Sequence, residues 1–124
     1  MADGSVIINT EIDAKDAQKE LNALEKKIDR LNNKAYQAKQ AKMPLEQQSL
    51  DLGAALDGAK QKLDALQSGG ASSDVIKEQS ETVASLQYRW DQINDQIDRY
   101  NATITTADRE IEAAKSEAGE LAAY

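Results

Sequence analysis

The sequence predicts an all-α chain: a long antiparallel helical hairpin, built as a coiled coil, preceded by a short strand-like arm. Three observations predict it. Apolar residues recur at a 4-3 spacing over most of the chain. One glycine- and serine-rich stretch, SGGASS at 68–73, interrupts that spacing and reads as a turn. The opening, residues 1–13, alternates with a period of two instead.

That opening reads MADGSVIINTEID, with Val6, Ile8, Thr10 and Ile12 alternating against Ile7, Asn9, Glu11 and Asp13. A lone strand leaves its backbone donors and acceptors unpaired. Val6, Ile7, Ile8 and Ile12 are therefore expected to form a strand between chains.

The hairpin is expected to span residues 14–124, with its first arm over 14–67. The seam starts with Ala14, Ala17, Leu21, Leu24, Ile28, Leu31, Ala35 and Ala38. It continues through Lys42, Leu45, Ser49, Leu52, Leu56, Ala59, Leu63 and Leu66 without a change of phase. Pro44 lies inside this run. Within a helix, proline removes one backbone bond and crowds the preceding turn, at a cost of about 3 kcal/mol. It could instead open a separate helix, PLEQQSLDL, where proline is well tolerated. A compact three-helix bundle would then need a last helix about twice as long as the other two. The unbroken heptad phase favours one arm with a kink or a brief break near Pro44.

After the turn at 68–73, Ser72 or Ser73 suits the N-cap of the second arm, over 74–122, and Asp74 suits its first turn. The second seam runs Ile76, Gln79, Val83, Leu86, Trp90, Ile93, Ile97, Tyr100, Ile104, Ala107, Ile111, Ala114, Ala118 and Leu121. In an antiparallel hairpin, facing residue numbers must add to a constant. Leu66 with Ile76, Ala59 with Val83, Leu56 with Leu86, Leu45 with Ile97, Leu31 with Ile111 and Leu21 with Leu121 all do. Flanking charges suit the same register: Lys27 and Lys34 lie on the edge facing Glu110 and Glu117, and Glu25 lies on the edge facing Lys115. Exposed pairs of this kind contribute only tenths of a kcal/mol each.

Composition bounds the chemistry. A formal net charge of −7 argues against binding nucleic acid or an anionic membrane. No apolar run approaches the roughly 18 residues that span a bilayer, and no signal peptide is evident. With no His and no Cys, a metal would need an oxygen cage. The carboxylates of DGAKQKLD and ADREIEAAKSE lack the glycine-hinged spacing of a calcium loop and fall mostly on solvated heptad positions. No GxGxxG, P-loop or GxSxG pattern occurs. The expectation is a non-enzymatic protein without catalytic, cofactor-binding or metal-binding residues, and without a cofactor.

Trp90, the one Trp, falls opposite Leu52, with Gly53 and Gly58 in the same region of the facing arm. A missing side chain there would admit the indole; the other reading is an exposed indole edge that binds a partner. Lys42 faces Tyr100, which suggests a weak, wet layer beside Pro44, while Tyr36 and Tyr88 read as surface residues. A seam rich in Ala35, Ala38, Ala107, Ala114 and Ala118 buries little area, so self-association as a homo-oligomer is expected. The closing SEAGELAAY keeps the heptad phase and meets no stop signal, as in the first part of a longer helical protein.

The first 28 residues, MADGSVIINTEIDAKDAQKELNALEKKI, resemble the start of phage and prophage tail tape-measure proteins. The resemblance rests on Asp3-Gly4-Ser5, the alternating run Val6 to Ile12, Asp13, and the heptad residues Leu21, Leu24, Ile28 and Leu31. It implies an extended helical protein of the virion tail interior, assembled in the bacterial cytoplasm, whose length sets tail length. It also implies assembly as a small oligomer, with tail tube subunits, tail chaperones or tail-tip proteins as partners. The alternative is an independent cytoplasmic coiled-coil adaptor that binds a partner helix.

Overall fold

A computed structural model describes the backbone of residues 2–122 and the side chains of residues 15–122. The fold is all-α, a helical hairpin of two long helices, α1 (Ala2–Ser68) and α2 (Ser73–Ala122). Straight-chain residues and alanine dominate both, which lose little side-chain freedom in a helix.

One expectation about α1 changes. The backbone of the opening is helical from Ala2, so the strand predicted for Val6, Ile7, Ile8 and Ile12 is corrected to helix. The reason is pairing: a strand needs a neighbour for its ladder, whereas a helix bonds each N–H to a carbonyl four residues back in the same segment. With no second strand among the described residues, the helix satisfies more of the backbone. The side chains of that opening, and that of Ala14, lie outside the described residues. At Pro44 the helix also runs through without a break. The ring is solvent-exposed and so crowds nothing outside its own helix; within it, Pro44 has no N–H to serve the carbonyl of Gln40.

The turn is set by glycine. Gly70 has φ of 72°, in the left-handed region where a Cβ is disfavoured. The Ala71 amide donates to the Leu66 carbonyl at 3.0 Å, and the Gly70 amide to the Gln67 carbonyl at 3.4 Å. This pair of bonds closes the C-terminus of α1 as a Schellman motif. Ser72 then caps α2: its Oγ accepts from the Val75 amide at 3.4 Å, and its carbonyl accepts from the Ile76 amide at 3.0 Å.

The chain divides into two units. The open-end unit, Met1–Ala38 with Ala102–Tyr124, holds most of the close packing. Leu31, Ala35, Ala107 and Ile111 form a buried cluster, with Ile28 packed against it. Ala17, Leu24, Ala38 and Ala114 are also buried there. Small residues let two helices approach closely, which is why alanines rather than larger side chains are covered best. The flanking charges Glu25, Lys27, Lys34, Glu110, Lys115 and Glu117 stay exposed and close no ion pair among the described residues. Holding two long side chains together in water gains too little to order them.

The loop-end unit, Lys39–Asn101, is built differently. Leu56 is its one buried apolar residue among those described, and the rest of its seam is half-buried. Polar groups join its helices as well.

Candidate functional site: the polar stretch of the seam

The seam residues read from the heptads face inward on both helices. In α1, Leu24, Leu31 and Leu56 are buried, and Leu21, Ile28, Leu45, Leu52, Leu63 and Leu66 are half-buried. In α2, Ile111 is buried, and Ile76, Val83, Leu86, Trp90, Ile93, Ile97, Ile104 and Leu121 are half-buried. Tyr36 and Tyr88 are exposed, at 60% and 64%.

Within the loop-end unit, side chains of both helices reach across the seam. Lys42 Nζ donates to Asn101 Oδ1 at 2.9 Å, and one heptad on, the Ser49 hydroxyl donates to Asn94 Oδ1. Lys42 also lies 3.6 Å from the Glu46 carboxylate, one turn along its own helix. Trp90 Nε1 donates to the Ser49 backbone carbonyl at 3.1 Å. Gln79 Nε2 donates to the Ala59 carbonyl at 3.0 Å.

The Trp90 bond depends on Gly53. The Ser49 carbonyl is the acceptor that the helix already presents to the Gly53 amide, four residues on. It has a second lone pair, and the absent side chain at Gly53 opens the path to it. A Cβ at Gly53 would lie 3.3 Å from Nε1 and 3.8 Å from Cε2 of the indole. The indole therefore occupies the space of the missing side chain, with its N–H satisfied. Gly58 has no comparable neighbour: a Cβ there meets nothing within 4 Å.

Sequence reasoning placed Lys42, Ser49, Gln79 and Trp90 at seam positions, and it placed Lys42 against Tyr100. It missed Asn94 and Asn101, which sit beside the seam and look like ordinary solvated residues. The available signal is spacing. Lys42 and Ser49 are seven apart, Asn101 and Asn94 are seven apart, and the two pairs align in the antiparallel register.

The chemistry this stretch offers is hydrogen bonding and packing. Among the described residues, no group of three or more Asp, Glu, His or Cys could hold a metal ion. No helix among them is long and apolar enough to cross a membrane. The best-formed depressions are open to solvent; one spans both helices, over Leu52, Ala55 and Leu86 between Asp51 and Arg89. Comparisons with family models, curated proteins and solved structures give no match for this chain.

Proposed function

We propose that the chain is a non-enzymatic structural protein, the N-terminal part of a phage or prophage tail tape-measure protein, acting in tail assembly and tail-length determination. The observation that carries this reading is the order of the opening: Asp3-Gly4-Ser5, the alternating run Val6 to Ile12, Asp13, and then a heptad series from Ala14 that keeps its phase. The helical hairpin is compatible with it, since a ruler needs helices rather than an enclosed site. In this reading copies of the chain associate within the tail, and tail tube subunits, tail chaperones or tail-tip proteins are its partners. The coding frame and its neighbours test it. A frame that continues for hundreds of helical residues among tail genes is the expected result, and a stop after Tyr124 sinks the reading.

The second reading, an independent cytoplasmic adaptor that binds a partner helix, is favoured by one feature of the loop-end unit. Met43 and Leu50, seven residues apart on α1, are 59% and 70% exposed. Large apolar side chains at that spacing suit an amphipathic helix laid alongside.

A further inference from the structure

We propose that the Trp90 indole seated at Gly53 is a register key, which selects one alignment of α1 against α2 from the alternatives a heptad seam allows. Heptad seams are nearly degenerate to slippage: displace one helix by seven residues and apolar positions face apolar positions again. The polar rungs are only partly selective. Lys42 can still meet Asn94 after a slip in one direction, and Ser49 can meet Asn101 after a slip in the other.

The indole has no such second partner. A slip of one heptad brings Glu46 or Lys60 to the place of Gly53. Either side chain fills the space that now holds Nε1, and the approach to the Ser49 carbonyl or its replacement closes. A half-buried indole N–H left without an acceptor is costly. The chain has one Trp, so nothing else in α2 can take the seat. A glycine in a helix interior is otherwise unfavourable, and the seat gives Gly53 a use that Gly58 lacks.

The turn also constrains register, so the test must release it. About ten Gly and Ser residues inserted between Gly70 and Ala71 of the full chain give the helices freedom to choose. The chain has no native cysteine, so introduced pairs report without interference. Ala59→Cys with Val83→Cys closes a disulfide within one chain in the observed register, and Leu52→Cys with Val83→Cys closes it after a slip. Each pair is placed in the lengthened chain and in the same chain carrying Glu46→Gly with Gly53→Glu, an exchange that moves the seat by one heptad and keeps the composition. The expected result is closure mainly of 59–83 without the exchange and mainly of 52–83 with it, a change in the product ratio of about tenfold or more. Preference for 59–83 in both backgrounds overturns the proposal, because the apolar seam alone would then set register. An independent arm uses Gly53→Leu in the chain with its native turn. Trp90 emission should shift to longer wavelength and become more open to acrylamide quenching, and unchanged emission equally overturns the proposal.

Discussion

Gly53 and Gly58 look alike in the sequence, yet their surroundings differ. Alanine is better than glycine in a helix interior by about 1 kcal/mol. At Gly58 a methyl group enters open space, so Gly58→Ala should raise stability by about that amount in urea unfolding. At Gly53 the methyl meets Nε1 at 3.3 Å, and the same gain is offset by displacement of the indole and weakening of its bond to Ser49. Gly53→Ala is therefore expected to be neutral or destabilising, and to become stabilising once Trp90→Leu has removed the indole. Equal gains at both glycines would contradict the seat. The sequence shows that Trp90 and Gly53 lie in one region, because register follows from facing numbers. It cannot show that the indole turns toward a backbone carbonyl, since that depends on the exact approach of two helices.

Elements were legible where their signals are cooperative. The arms follow from a 4-3 spacing repeated over many turns, and the turn from a cluster of Gly and Ser that heptads cannot absorb. The opening misleads because a short run of alternating apolar residues has no power to choose between strand and helix; pairing decides, and pairing is not local. At Pro44 the unbroken heptad phase outweighs the local signal of proline, and α1 runs through it. Restoring the missing N–H by Pro44→Ala should therefore raise stability, by up to about 3 kcal/mol, without changing the helix content seen by circular dichroism. A large gain in helical signal would instead mean that the native arm is broken there. At the turn the direction reverses. Gly70→Ala forces a Cβ into a φ of 72° and should cost about 1–2 kcal/mol, while Ser72→Ala removes the cap on Val75 and should cost about 1 kcal/mol. Thermal unfolding that ranks these two with neutral surface changes would contradict the turn described.

At the scale of the whole chain, burial is thin. No side chain among the described residues is fully buried, and the covered apolar residues include Ala17, Ala35, Ala38, Ala107 and Ala114, each with little area to remove from water. A buried methyl contributes far less than a buried leucine or phenylalanine side chain, and the chain has no Phe at all. Ion pairing adds little where it is seen: the Lys42–Glu46 pair lies within a single helix and is exposed on its acidic side. A net charge of −7 opposes compaction further. A hairpin so constituted would gain more from association than from refining its own seam, and Met43 and Leu50 are exposed apolar area that association would cover. We therefore expect sedimentation equilibrium at micromolar concentration to give a mass above the 13.5 kDa of one chain. The melting temperature should rise with protein concentration, as it must when folding and association are linked. Added salt should favour the associated state by screening like charges, rather than weaken it as it would an assembly held by ion pairs. A mass of 13.5 kDa with a concentration-independent melting temperature would mean that the two-helix seam suffices, and would remove the proposed oligomer.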